Sequence, residues 1–214
     1  LARVFHDAGL RPGDHVAFCL ENHPHFLAIA WGAHYAGLYY TAISSRLGAS
    51  EAAYIVDDCG ARAFIASAYT AATATGILGD TPKVELRLAL GGPIEGHGSF
   101  EDAIAAADPT PIPDRVEGVD MLYSSGTTGR PKGVKVPLPD APLGTGNALY
   151  ALVTMLFGAN ADTVYLSPAP LYHAAPLRFS MAVQRTGGTV VVMEHFDPIE
   201  ALAAIERYHV TFTQ

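Results

Sequence analysis

Charge is scarce in this sequence, and basic charge scarcer still. Only 16% of the 214 residues are charged, and 13 Lys and Arg against 21 Asp and Glu leave a formal charge of −8. Lys and Arg nowhere cluster, which argues against nucleic acid as the main partner, because phosphate backbones are bound by basic patches. A local basic loop remains compatible with a nucleotide. Cysteine is nearly absent. Cys19 and Cys59 each sit in apolar surroundings without CxxC spacing, which points to a reducing, cytoplasmic compartment. Long apolar runs are missing too, every stretch being broken by Gly, His or charge before the roughly 20 residues of a membrane span. Leu1-Ala2-Arg3 leads straight into an amphipathic helix pattern and not a signal peptide. The chain opens without Met and stops inside a strand pattern at 210–214, so a segment of a longer protein is expected.

What is present is a core. Half of the residues are hydrophobic, enough for one large globular domain or two small ones. Strand-like runs at 15–20, 38–43, 61–67, 85–90, 119–124, 163–167, 188–194 and 210–213 alternate with helix-like ones. Ala63-Phe64-Ile65-Ala66 and Val190-Val191-Val192-Met193 are continuous apolar runs, as in strands covered on both faces. The clearest helix pattern spans 24–36. It sets Phe26, Ala30 and Ala33 on one side and Leu27, Trp31 and Tyr35 on another, so it should be buried nearly all round. A second helix covers 50–59 and stops at Gly60, where a glycine C′ is expected. The Asp57-Asp58 pair near its end reads as a solvated face. A third starts at Asp197 with Pro198 at its first position and Glu200 three residues on, an acidic variant of the capping box.

This alternation predicts an α/β fold with largely parallel sheets and flanking helices. Residues 91–98 are glycine-rich and read as an exposed loop. Pro109, Pro111 and Pro113 make 108–114 look like a linker. Two lobes are therefore expected, 1–113 and 114–214.

The chemistry concentrates in Tyr123-Ser124-Ser125-Gly126-Thr127-Thr128-Gly129-Arg130-Pro131-Lys132-Gly133. Gly126, Gly129 and Gly133 allow positive φ angles and close approach of the backbone to a ligand. Ser124, Ser125, Thr127 and Thr128 supply hydroxyls, the loop amides can form an anion-binding nest, and Lys132 and Arg130 add positive charge. Hydroxyls, bare amides and a cation are what a polyphosphate requires. The Walker A pattern does not fit, because it opens a helix after Gly-Lys-Ser/Thr. Here Pro131 precedes the lysine and Val134-Lys135-Val136 alternates like a strand. The loop should therefore join two strands.

That segment resembles the phosphate-binding signature of the adenylate-forming (AMP-binding) superfamily. Leu10-Arg11-Pro12-Gly13-Asp14-His15-Val16-Ala17, Glu21-Asn22-His23-Pro24-His25-Phe26, Gly37-Leu38-Tyr39-Tyr40-Thr41-Ala42-Ile43 and 51–61 resemble the same family in order and spacing. So do Pro168-Ala169-Pro170-Leu171-Tyr172-His173 and 187–196, and the wording is most similar to fatty-acyl-CoA synthetases. The resemblance implies the front part of the large N-terminal domain of such an enzyme. In 137–147, where relatives have a short turn into a helix, this chain departs from the pattern.

The resemblance also implies roles. Gly126, Thr127, Thr128 and Gly129, within a cofactor-binding loop that includes Ser124, Ser125, Arg130, Lys132 and Gly133, would hold the β- and γ-phosphates of ATP. Lys132 would offset their charge, and the Ser124 hydroxyl would join a Mg²⁺ site. His173 would lie near the acyl carboxylate and the thioester-forming end. The implied activity is that of an AMP-forming acid–thiol ligase, acyl-CoA synthetase, taking a fatty acid, ATP and CoA, in a chain whose C-terminal domain lies downstream and whose first segment alone is inactive. Loading of the adenylate onto a carrier protein, or a non-catalytic truncated binding module, are the alternatives. His23 and His25, at i and i+2, do not share a helix face, and no Cys or carboxylate completes a metal site with them. The remaining histidines read as surface or packing residues.

Overall fold

The computed structural model describes residues 1–113, 115–124 and 130–214, which form two compact units. The first comprises Leu1–Glu21 and Ala28–Gly144 and the second Asn22–Leu27 and Thr145–Gln214. The described residues of 115–144 thus fall in the first unit, where Val119–Asp120 pairs in parallel with Tyr39–Tyr40.

The elements of this part of the chain, in order, are α1 (Ala2–Asp7), β1 (His15–Leu20), α2 (Phe26–Tyr35), β2 (Tyr39–Ser44), α3 (Ala49–Asp58), β3 (Ala61–Ser67) and α4 (Ala71–Gly76). There follow β4 (Leu86–Leu90), β5 (Gly98–Ser99), α5 (Phe100–Ala106), β6 (Val119–Asp120), β7 (Leu122–Ser124) and β8 (Lys132–Val134). β5-β4-β3-β1-β2-β6 form a sheet whose pairs are all parallel. Ala17 and Cys19 of β1 and Phe64 and Ala66 of β3 share one apolar layer with Ala52, Ile55 and Val56 of α3 and Ile77 beyond α4. By strand alternation Val16, Phe18 and Leu20 face the other side, and none is more than 1% exposed. Both faces are thus covered, which is why β1 and β3 are nearly continuous apolar runs. Gly60, at φ +68°, ends α3 as its sequence position suggests.

Three departures have local causes. The run 119–124 is broken at Met121. β6 pairs parallel with β2, whereas β7 pairs antiparallel with β8, and Thr41 Oγ donates to the Met121 carbonyl at 2.7 Å, taking it out of either ladder. Residues 108–113 are tied down, with Ile112 buried and Arg3 donating to the Thr110 carbonyl at 2.9 Å. On α2, Tyr35 is 44% exposed, so that helix is not buried all round.

Cys19 and Cys59 are buried free thiols, each pushed up to about 12 chiefly by that burial. His15 is also buried, its ring stacked on Tyr39 at 4.7 Å, with Lys135 Nζ 4.4 Å from the centre of the Tyr39 ring. Burial first, and then the Lys135 charge, lower its pKa to about 4, with Asp14 opposing. The unfolded chain takes up that proton near pH 6.5, so the folded state loses stability as pH falls from about 6.5 towards 4. His15→Phe should make the decline in unfolding free energy across that window shallower, as read from urea midpoints at several pH values. An unchanged pH dependence would show that His15 carries none of it.

The second unit holds α6 (Ala148–Met155), β9 (Val164–Ser167), α7 (Ala174–Arg185), β10 (Thr189–Val192), α8 (Pro198–Tyr208) and β11 (Phe212–Thr213). β10-β9-β11 form a parallel sheet with β9 in the centre. Val153 of α6 and Ala182 of α7 pack with Ala159 in a small core, and Tyr165 of β9 is fully buried. Asn147 caps α6 by accepting from the Tyr150 N–H, and Asp197 caps α8 by accepting from Ile199 and Glu200. The divergent 137–147 segment is anchored within the first unit as far as Gly144. Leu138 packs on the core, Val116 bridges to Pro142, and the Gly144 N–H donates to Glu117 at 2.7 Å. No helix among the described residues is long and apolar enough to cross a membrane.

Candidate functional site

β7 and β8 form an antiparallel ladder in which Ser124 opposes Lys132 and Tyr123 opposes Gly133. The segment 125–131 therefore joins two strands, as its sequence predicts, but the second begins at Lys132 itself and ends at Val134, leaving Lys135 and Val136 outside it. Ser124 and Lys132 stand opposite each other at the mouth of that segment, and both are exposed. Arg130 is exposed as well, its guanidinium carbon 5.5 Å from the centre of the Tyr54 ring on α3. The proposed phosphate contacts of Ser125, Gly126, Thr127, Thr128 and Gly129 lie outside the described residues.

The ladder is held from behind. Tyr123 donates to Asp58 at 2.5 Å, and burial, followed by that carboxylate, pushes its phenol well above the usual tyrosine range. Asp58 is therefore more than a solvated helix end. Gly133 is not among the positive-φ glycines. Its missing side chain serves packing instead, since a Cβ there would come within 2.4 Å of Met121 Cε and 2.9 Å of the Tyr123 ring. Tyr54, Asp58 and Tyr123 thus support the hairpin. Sequence reading missed them because the α3 contacts are long-range and the Tyr123–Gly133 facing depends on register.

The second candidate feature belongs to the other unit. Ser167 ends the central strand β9, and the chain turns through Pro168-Ala169-Pro170-Leu171-Tyr172 to His173, the N-cap of α7. Ligands of parallel sheets commonly bind beyond such carboxyl ends. The His173 N–H donates to the Pro170 carbonyl at 3.1 Å, and its carbonyl accepts from Leu177 at 3.2 Å, which starts the helix. Its side chain takes no part in capping and is exposed, with the ring centre 4.2 Å from that of Tyr172. Asn22 accepts from the Leu171 N–H at 2.8 Å and donates to the carbonyls of Met193 at 2.7 Å and Ala169 at 3.2 Å.

Among the described residues no group of three or more His, Cys, Asp or Glu is placed to hold a metal ion. Ser124 offers one exposed hydroxyl, which suits a Mg²⁺ that arrives on a nucleotide, because Mg²⁺ takes few protein ligands and completes its shell with phosphate oxygens and water.

The Ser/Thr/Gly-rich segment joins two strands of a separate antiparallel hairpin, an arrangement distinct from that of P-loop proteins, whose loop opens a helix. A profile of the AMP-binding enzyme family matches residues 1–214, and the chain belongs to that family. It is 34% identical over 222 residues to a feruloyl-CoA synthase of Amycolatopsis sp., covering 99% of this chain and 40% of that protein. A solved putative long-chain-fatty-acid CoA ligase from Rhodopseudomonas palustris superposes with a TM-score of 0.86 at 23% identity, covering 99% of this chain and 52% of that one. The amide bond synthetase McbA from Marinactinospora thermotolerans does so with a TM-score of 0.81 at 26% identity, over 99% of this chain and 41% of that one. The α/β fold is that of the N-terminal domains of adenylate-forming enzymes, as expected. The chain spans about 40% of the length of the curated relatives it matches.

Proposed function

We propose that the chain is the ATP-phosphate-gripping part of an acid–CoA ligase. In the first step a substrate carboxylate oxygen attacks the α-phosphorus of ATP, the bond to the β-phosphate oxygen breaks, and pyrophosphate leaves an acyl-adenylate. In the second the CoA thiolate attacks the acyl carbon, a C–S bond forms, and AMP departs. In-line displacement at phosphorus requires positioning and charge neutralisation more than covalent help. Lys132 supplies the charge, the segment from Ser124 to Gly129 supplies hydroxyls and amides, and the Ser124 hydroxyl would serve as a protein ligand to a Mg²⁺ carried by the nucleotide. His173 serves the carboxylate and thioester end.

The observation that carries this reading is the Ser124–Lys132 pairing across the β7–β8 ladder, which sets a hydroxyl and a cation at the mouth of the loop. A fatty acid is the proposed substrate on the wording of the motifs. The 34% identity to a feruloyl-CoA synthase favours a second reading, a hydroxycinnamic acid. The ligase polypeptide that carries this chain should be given ATP, Mg²⁺ and a panel of fatty and hydroxycinnamic acids, with and without CoA, and its products read by mass spectrometry. Thioester formed only with CoA is the expected result and names the acid. Adenylate that accumulates and ignores CoA would move the protein to carrier loading or amide synthesis, and no product from any acid would overturn the reading.

A further inference from the structure

We infer that Asn22 is a positioning residue for His173, acting through the backbone of the 168–173 turn; this rests on the role proposed for His173 above. The Asn22 carboxamide makes three hydrogen bonds, to Leu171, Met193 and Ala169, across sequence separations of 149, 171 and 147 residues. They admit one orientation of the amide, because a backbone N–H can only donate and the two carbonyls can only accept. Two of the three partners, Ala169 and Leu171, flank Pro170, whose carbonyl receives the His173 N–H. The third, Met193, follows β10, so the same side chain ties the turn to the sheet.

Pro168 and Pro170 have no N–H to donate. Leu171 is fully buried, and without Asn22 its N–H would lose the acceptor found for it. Freed of the carboxamide, the turn can rotate about Pro170 and carry the N-cap and its exposed imidazole with it. Asn22 is thereby given a task that neither the start of α2 nor the core requires. Phe26, four residues on, is the buried anchor of that stretch.

The test uses the ligase polypeptide that carries this chain. Asn22→Ala should lower kcat on the order of 10- to 100-fold, the scale of an angstrom-sized misplacement of a reacting group. KM for ATP should stay within about twofold, since the β7–β8 ladder makes no use of Asn22. Asn22→Asp keeps the size and the acceptor for Leu171 but turns an oxygen towards two carbonyls, and it should give a similar loss. The double variant Asn22→Ala with His173→Ala should be no slower than His173→Ala alone, because residues acting as a unit are not additive. Hydrogen exchange adds an arm independent of catalysis, with the Leu171 amide protected in the unmutated protein and exposed in Asn22→Ala. An unchanged kcat, an additive double variant, an unprotected Leu171 amide, or variants that do not fold would each overturn the positioning role. If the unmutated protein makes no adenylate or thioester, the function reading fails, and the exchange arm still decides whether Asn22 fixes the turn.

Discussion

Replacing Lys132 by Ala should lower the rate of acyl-adenylate formation by roughly 10²- to 10³-fold, the usual scale for losing one preorganised charge or donor at a reacting group. The fold should not notice. Lys132 is exposed, and surface substitutions away from special features usually stay within about 0.5 kcal/mol. In the proposed role its work is electrostatic. Negative charge on the pyrophosphate leaving group grows as the bond to the α-phosphorus breaks, and a cation so placed would favour that state over the ground state. Lys132→Arg keeps the charge on a longer, planar head and should recover only part of the rate. Pyrophosphate exchange in the full polypeptide reads the first step directly. Near-normal exchange in Lys132→Ala, together with an unchanged melting temperature, would remove this residue from the phosphate site.

The second large effect concerns stability. His34 Nε2 and a Glu117 carboxylate oxygen are in direct contact, with side chains only 7% and 5% exposed. Glu117 also accepts from the Gly144 N–H at 2.7 Å, and the Gly118 N–H donates to the His34 carbonyl at 2.8 Å. One carboxylate thus joins α2 to the chain leading into β6 and to the end of the 138–144 strap. Removing one partner of a buried pair typically costs about 3–5 kcal/mol, because the other group stays buried without it. Glu117→Ala is expected to fall in that range by urea unfolding, and to make the peptide bonds of 138–144 more open to proteolysis. Glu117→Gln keeps an acceptor for Gly144 and should cost less. A loss below about 1 kcal/mol in Glu117→Ala would mean that the pair contributes little beyond its packing.

How much of this was legible beforehand varied with how local each cause is. β1 and β3 were readable to the residue, since both lie inside a sheet covered on two faces and carry uninterrupted apolar runs. α8 announced itself through Asp197 and Pro198. α7 did not, because its N-cap is a histidine without a capping bond and Pro176 lies in its first turn. The break at Met121 needed Thr41, 80 residues away, to claim a carbonyl. The candidate site divides the same way. The residue types of the loop were legible from composition and spacing, and the presence of a second strand from alternation, though not its bounds at Lys132 and Val134. The reason for Gly133 was not, because the Tyr123 ring that excludes a side chain is brought there by register and not by neighbourhood. Asn22 stood in a motif whose purpose no short-range pattern reveals.

The two buried thiols have a practical consequence. Alkylating reagents attack the thiolate, and at neutral pH neither Cys19 nor Cys59 offers one or a path to it. Within these residues the folded chain is silent to iodoacetamide and maleimide dyes. A single cysteine introduced at exposed Asp140, on the strap beyond β8, would then be the one addressable sulfur of this segment. A fluorophore attached there could test the proposed nucleotide binding without removing either native cysteine.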